Sequence, residues 1–284
     1  MSDIQLFMVV EDVLRPLPIP QNATAFYQLY DGLPVGVYSA LRTYEQNKFL
    51  WLDDHIQRMV RSLNLLGWQC KLDEGKLRRG LHEAATKFPF PEARVRFDLL
   101  AEPLHHEGYE SRILIAMMPF AGIPPHYYAE GVKVDFAASL QRETPLAKTA
   151  DFAVVRGSLA NDKDVYEHLL VDPAGHILEG TGSNFIGVQS GTVYTAAKGV
   201  LEGVTLKMIL SLLDDLNIPL SLQPVHVEQI ASLDEAGLCS SSRALIPIVQ
   251  IGEAVVGNGR PGPICQRILT AYRDYVRGDV KTAV

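Results

Sequence analysis

Residues 178–188 read LEGTGSNFIGV and place one carboxylate ahead of a turn built from small, polar residues. Glu179 is followed by two glycines, a threonine, a serine and an asparagine, and then by an apolar run typical of a buried strand. Such residues satisfy the polar groups of a strand end, and they also let a backbone approach a non-protein group closely. The stretch therefore predicts either an ordinary turn or a contact with a ligand.

Strand patterns on both sides of this turn decide the fold class. Residues 167–180 and 184–196 each alternate around a glycine-containing turn, as β-hairpins do. Apolar residues recur at helical spacing in four other segments, namely 52–68, 74–88, 203–216 and 263–276. Because the regular βαβ rhythm of a doubly wound sheet is missing, the sequence predicts an α+β protein.

The bulk composition excludes several classes of protein. The chain has 284 residues, a net charge of -7 and three cysteines without a CxxC pair. No basic surplus is available to neutralise nucleic-acid phosphates, and the unpaired cysteines favour a reducing cytoplasm. The first twenty residues are interrupted by acidic residues and prolines, so we expect neither a signal peptide nor a membrane span. The sequence also predicts no metal site, since His105-His106 has no third ligand at a suitable spacing.

One proline-rich segment is the expected boundary between two domains. Residues 121–131 (AGIPPHYYAEG) combine Pro-Pro with flanking glycines and show no hydrophobic period. We therefore expect a small N-terminal domain over residues 1–120, a linker over 121–131 and a larger C-terminal domain over 132–284. A further helix is expected within residues 150–162.

Four features scattered along the chain are compatible with chemistry, although each also has an ordinary explanation. Lys148 is either a solvated surface cation or a Schiff-base lysine, which needs a desolvated pocket. Glu179 is either a solvated hairpin end or a partner for a protonated ring nitrogen. The Gly-Val-Thr at 203–205 opens a helix whose first amides favour an anion. Three serines at 240–242 precede an apolar strand and either bind phosphate oxygens or satisfy the strand end.

The order of these features resembles the class IV aminotransferases, the fold type IV pyridoxal-phosphate enzymes. That family includes branched-chain and D-amino-acid aminotransferases and aminodeoxychorismate lyase. The resemblance extends upstream to LRTYEQNKFLWLDDHIQRMVRSLNLLG (41–67) and downstream to GNGRPGPICQRIL (257–269), so it covers most of the chain. It implies a two-domain fold with a small α/β sandwich-like N-terminal domain, a larger β-rich C-terminal domain and a homodimer.

The resemblance also implies roles for particular residues. Lys148 would bind the cofactor pyridoxal 5'-phosphate covalently and move a proton during amino transfer, and Glu179 would hold the pyridine nitrogen protonated. Arg58 would bind the phosphate through its guanidinium group, unless it is an ordinary exposed arginine. The phosphate site would be completed by residues Val204, Thr205, Ser240 and Ser241.

Departures from the family pattern leave the substrate open. Ser39 stands where the family often has an acidic residue, Leu206 replaces an arginine, and Phe152 stands where branched-chain enzymes carry a tyrosine. The Tyr-x-Arg-Pro pattern is met only by RVRF (94–97). Arg94 and Arg96 therefore either clamp a substrate carboxylate or lie on a solvated or salt-bridged strand face.

The resulting hypothesis is an aminotransferase that moves an amino group between an amino acid or amine and a 2-oxo acid by a ping-pong mechanism, in the cytoplasm. The same Lys148 and Glu179 would serve the first alternative, a lyase that forms 4-aminobenzoate and pyruvate from aminodeoxychorismate. The second alternative is a non-catalytic relative of the fold. We expect small-molecule substrates and neither nucleic acid nor membrane as a partner.

Overall fold

The computed structural model describes residues 3–137, 140, 144–150, 152 and 164–284. Within them the α-helices are α1 (Leu52–Leu65), α2 (Glu74–Lys87), α3 (Pro125–Ala129), α4 (Val204–Asp215) and α5 (Pro263–Asp279), and short 3-10 helices span Phe26–Leu29 and Val227–Ser232. The strands are β1 (Gln5–Val10), β2 (Val13–Pro16), β3 (Gly36–Tyr44), β4 (Lys48–Phe49), β5 (Ala93–His106), β6 (Tyr109–Pro119), β7 (Val132–Phe136), β8 (Glu167–Val171), β9 (His176–Gly180), β10 (Asn184–Gln189), β11 (Thr192–Tyr194), β12 (Leu220–Ser221), β13 (Val225–His226), β14 (Glu235–Ser240), β15 (Ala244–Ile251), β16 (Ala254–Val255) and β17 (Lys281–Thr282).

The chain divides into two compact units. The first contains the described residues of 1–121, 147–157 and 279–284, and the second contains those of 122–146 and 158–278. Both units combine helices with sheet, so the α+β class expected from the sequence is confirmed.

The first unit is an antiparallel sheet with the order β2-β1-β6-β5-β3-β4-β17. Along β5 the side chains alternate between the two faces, as the sequence pattern predicts. Val95, Phe97 and Leu99 pack with the apolar stripes of α1 and α2 in one core. Leu100 and its β6 neighbour Leu114 pack on the opposite face with Leu6 and Tyr30 in a second core. Both faces of this sheet are therefore covered.

The second unit contains a closed barrel. Its strands pair in the order β10-β14-β15-β7-β8-β9, and β9 pairs with β10 to complete the ring. The closing pair is Asn184 opposite Glu179, so the barrel closes at the turn between these two residues. Apolar side chains fill a single core in this unit, among them Phe185, Leu169 and Ile246.

Several segments differ from what the sequence pattern indicates. The first residues form the paired strands β1 and β2, which the acidic and proline interruptions concealed. Residues 26–29 form a 3-10 helix and not part of a hairpin strand. A short helix, α3, lies inside the segment expected to be the linker. Most of the helix expected within residues 150–162 lies outside the described residues. Among those that are described, no helix is long and apolar enough to cross a membrane.

Candidate active site

Lys148 is anchored by its backbone at the edge of β3 in the first unit. The Tyr38 amide donates to the Lys148 carbonyl oxygen at 3.0 Å, and Thr149 forms a β-bridge with Val37. The Lys148 amide in turn donates to Ser62 Oγ at 3.3 Å. The side chain is half-buried, with Nζ 4.8 Å from the centre of the Tyr38 ring. The structure thus places the lysine amine beside an aromatic face.

Arg58 lies in a buried polar cluster next to this lysine. Its side chain is on the inner face of α1 and only 5% exposed, so it is not an ordinary surface arginine. Arg58 Nη2 donates to Ser39 Oγ at 2.7 Å, and Ser39 Oγ lies 2.8 Å from His55 Nδ1. Ser62 Oγ donates to the Arg58 carbonyl oxygen at 3.0 Å and so connects Arg58 with Lys148.

Burial, together with the charges of Arg58 and Lys148, lowers the pKa of His55 well below its usual value. His55 is therefore neutral at physiological pH, and the positive charge of this cluster resides on Arg58 and Lys148. The arrangement is suited to an anion such as a phosphate. Sequence reasoning did not identify His55 or Ser62, although His55 belongs to the quoted His-x-x-Arg helix.

The two arginines considered for carboxylate binding have different surroundings. Arg94 is exposed, with its guanidinium carbon 6.0 Å from the centre of the Phe26 ring. Arg96 is 2% exposed and forms an ion pair with Asp98, which is completely buried. Of the interpretations considered from sequence, the salt-bridged strand face therefore describes Arg96.

Glu179 occupies a buried position at the end of β9 in the second unit. It is 2% exposed, and its Oε2 accepts from Asn184 Nδ2 at 3.4 Å and from the Leu201 amide at 3.2 Å. The same Asn184 amide also donates to the Leu201 carbonyl oxygen at 2.9 Å. Glu179 is thus a held, buried carboxylate and not a solvated hairpin end.

Asn184 also fixes the start of α4. Gly203 is the N-cap residue of this helix, and a β-carbon at that position would collide with the Asn184 carboxamide. Glycine is required there because the helix start packs directly against the side chain that contacts Glu179. Asn184 therefore connects the carboxylate with the helix N-terminus.

The first turn of α4 presents hydrogen-bond donors. Amides in the first turn of a helix have no partner within the helix, and the helix dipole favours an anion beside them. Val204 and Thr205 begin the helix, and both are buried. Thr205 Oγ1 donates to Ser241 Oγ at 3.3 Å, so the structure brings these two hydroxyls together.

Ser240 belongs to a different group of contacts. Its hydroxyl accepts from Arg243 Nε at 2.8 Å, and Arg243 Nη1 lies 2.5 Å from Glu167 Oε2. The other oxygen of Glu167 accepts from the Gly182 amide at 2.7 Å and from Ser183 Oγ at 2.8 Å. Burial opposes ionisation of Glu167, but Arg243 and these hydrogen bonds lower the pKa of its carboxyl.

The Glu167–Arg243 pair thus holds the turn after Glu179 and the serine turn in one unit. A β-carbon on Gly180 would collide with Glu167 and Ser183, so this part of the small-residue turn is dictated by the protein itself. Neither Glu167 nor Arg243 was a candidate from sequence. The only signal was the Arg243 that ends the serine run, and Glu167 carried none.

The family of the chain follows from comparisons with known proteins. The sequence profile described as "Amino-transferase class IV" matches residues 36–251. Among curated relatives, the branched-chain-amino-acid aminotransferase of Pseudomonas aeruginosa is 22% identical over 260 residues, covering 86% of this chain and 85% of the relative. The D-alanine aminotransferase of Bacillus licheniformis is 23% identical over 278 residues, covering 91% and 92%.

Solved structures share the fold over nearly the whole chain. The branched-chain aminotransferase from the archaeon Thermoproteus uzoniensis, determined with norvaline, superposes with a TM-score of 0.79 at 22% identity, covering 99% of each chain. A bacterial branched-chain amino acid aminotransferase determined with pyridoxamine 5'-phosphate gives a TM-score of 0.77 at 18% identity, covering 99% of this chain and 98% of that one. These likenesses establish the fold type IV architecture. With three quarters of its length matched by the family profile, this chain belongs to the class IV aminotransferases, a family of enzymes.

Proposed function

We propose that the protein is a pyridoxal-phosphate-dependent aminotransferase that moves an amino group from an amino acid or amine to a 2-oxo acid in a ping-pong sequence. The observation that carries this proposal is the buried Glu179 carboxylate, held by Asn184 and Leu201 next to the start of α4 in a class IV aminotransferase chain. A fixed, buried carboxylate suits a protonated ring nitrogen, because a charged acceptor strengthens the hydrogen bond in a low-dielectric site.

The donor groups of the chain fit the cofactor. The phosphate would be held by the first amides of α4, the hydroxyls of Thr205 and Ser241, and the Arg58 guanidinium. Ser241 is a better candidate than Ser240, because the Ser240 hydroxyl accepts from Arg243. When bound, pyridoxal phosphate supplies the carbonyl that takes up the amino group and an electron-accepting ring.

The side chains of the chain then have separate tasks. Lys148 Nζ holds the cofactor covalently and, once released, moves the proton that leaves the donor's α-carbon. Glu179 keeps the ring nitrogen protonated. His55, which stays neutral, adds no charge to the cluster that contains Arg58 and Lys148.

Further parts of the proposal concern organisation and location. The domains are residues 1–120 and 132–284, joined by 121–131. Two chains form a homodimer, as the family resemblance implies, and the enzyme works in the cytoplasm. The three reduced cysteines, two of them buried, are compatible with that compartment.

The test is a half-reaction followed by absorbance. The cofactor-loaded protein is mixed with single amino donors, and its absorption should shift to that of the pyridoxamine form and return when a 2-oxo acid is added. Lys148→Ala should lower the rate by at least about 10³-fold, as expected for a group on which the chemistry depends. Lys198→Ala, at an exposed lysine, is the matched control.

Two outcomes would contradict this proposal. Release of pyruvate and 4-aminobenzoate from aminodeoxychorismate without a second oxo acid would identify a lyase. Absence of any cofactor absorbance after incubation with pyridoxal phosphate would indicate a non-catalytic relative.

A further inference from the structure

Arg96 and Asp98 form a closed ion pair on one face of β5. Residues two apart on a strand share a face, so their side chains meet without any turn of the backbone. Asp98 Oδ1 accepts from Arg96 Nη2 at 2.6 Å, and Arg96 Nε lies 3.0 Å and 3.1 Å from the two carboxylate oxygens. This is the two-pronged geometry in which arginine binds a carboxylate most strongly.

The strand register makes room for this pair and adds an aromatic neighbour. Arg96 lies opposite the small residue Ala40 on β3, and Asp98 lies opposite Tyr38. The Arg96 guanidinium carbon is 4.0 Å from the centre of the Tyr38 ring and 3.6 Å from that of Tyr30. Tyr30 Oη also donates to Asp98 Oδ2 at 2.6 Å.

These contacts remove the cation from the reach of solution. Burial acts to lower the pKa of Arg96, but the neighbouring Asp98 carboxylate raises it, so the guanidinium stays charged. Its charge is compensated by a carboxylate of the chain itself. A second carboxylate, from a ligand, would have to displace Asp98 and leave that charge buried without its partner, which is costly.

The pair is close to the amine proposed to react. The Tyr38 ring that contacts Arg96 also lies 4.8 Å from Lys148 Nζ. A substrate held at Lys148 is therefore only one aromatic side chain away from the guanidinium. Whether Arg96 is engaged or released should decide which charge a substrate can carry there.

We propose that Asp98 is a specificity-determining residue, which keeps Arg96 engaged so that the donor accepted beside Lys148 has an uncharged side chain. This inference rests on the proposed aminotransferase function and goes beyond it by naming the substrate class. Arg96 acts as a positioning residue that supports Tyr38 and does not bind a substrate carboxylate.

The experiment compares donors of equal shape and different charge. Glutamate and glutamine are used in the half-reaction with wild type, Asp98→Asn, and the double variant Arg96→Met with Asp98→Asn. Wild type should prefer glutamine. Asp98→Asn should raise the glutamate-to-glutamine ratio of kcat/KM by about 10-fold or more, because it releases a cation for the side-chain carboxylate. The double variant should lose that gain.

A binding measurement gives a second readout that does not depend on turnover. Calorimetric titration with glutarate and with pentanoate should show that Asp98→Asn gains affinity for the dicarboxylate alone. Tyr30→Phe is the matched control, because it changes the same cluster but leaves Asp98 opposite Arg96, and its ratios should equal those of wild type.

Particular outcomes would overturn the inference. A wild type that prefers glutamate, or an Asp98→Asn variant that folds and changes both donors by the same factor, would show that the pair is structural only. A wild type that converts no donor at all would instead contradict the proposed function. In that case the glutarate titration still decides whether Asp98 controls access to Arg96.

Discussion

Asn184 lies directly opposite Glu179 where the barrel of the second unit closes, with its Nδ2 3.4 Å from Glu179 Oε2. One carboxamide therefore contacts the buried carboxylate, the Leu201 carbonyl and the glycine that begins α4. The strand pairing that completes the barrel also sets the distance between the carboxylate and the helix N-terminus. This coupling explains why the Glu-Gly-x-x-Ser-Asn turn and the Gly-Val-Thr helix start occur together.

Glu179→Gln should retain the cofactor but slow the amino-donor half-reaction by about 10² to 10³-fold, the range found when one preorganised electrostatic partner is removed. Glutamine has nearly the same shape and still accepts from Leu201, so the fold is kept while the negative charge is lost. Stopped-flow absorbance measures both colour and rate. Glu228→Gln, at an exposed glutamate, is the control, and equal rates in the two variants would contradict the role given to Glu179.

Ser241→Ala should weaken pyridoxal-phosphate binding by about 10-fold, because one hydrogen bond to a charged group is lost. Ser240→Ala should have a smaller effect, since its hydroxyl accepts from Arg243. Fluorescence titration of the apoprotein with pyridoxal phosphate compares the two dissociation constants. A larger loss in Ser240→Ala than in Ser241→Ala would reverse the assignment.

Glu167→Gln should lower the free energy of unfolding by on the order of 3 kcal/mol, because Arg243 is then left without its partner in a largely buried site. Adding Arg243→Met should recover part of that loss, since a pair of uncharged residues no longer contains a desolvated charge. Urea unfolding gives the values, with Glu253→Gln as the exposed control. No difference between Glu167→Gln and the control would show that the pair does not hold the two turns.

His55 should make the protein less stable as the pH falls below 6.5. Since burial and the nearby cations lower the pKa of the folded histidine, the unfolded chain takes up a proton below 6.5 that the folded chain does not. The free energy of unfolding then decreases by at most about 1.4 kcal/mol per pH unit for this one site.

His55→Asn should flatten that decrease between pH 7 and 5, because asparagine does not titrate there. The measurement is the urea midpoint as a function of pH, and His105→Asn, at an exposed histidine, is the control. If His55→Asn kept the wild-type slope, the buried histidine would not be the titrating group.

Local elements and long-range contacts differ in how far the sequence predicts them. The apolar periods of α1, α2, α4 and α5 and the glycine turns of the hairpins depend on neighbouring residues, and the structure contains these elements. The pairing of Glu167 with Arg243 joins residues 76 positions apart, and no local pattern indicates it. Alternation placed Arg96 and Asp98 on one strand face, but only the packing of Tyr30 and Tyr38 shows that this face is buried.

The central claim is that Lys148 holds pyridoxal phosphate in an aminotransferase site, and chemical trapping tests it most directly. The protein is saturated with pyridoxal phosphate, reduced with borohydride, digested and analysed by mass spectrometry. The account predicts one modified peptide, which carries the reduced cofactor on Lys148 and disappears when the protein is first treated with an effective amino donor. A cofactor attached to another lysine, or no attachment after saturation, would contradict it.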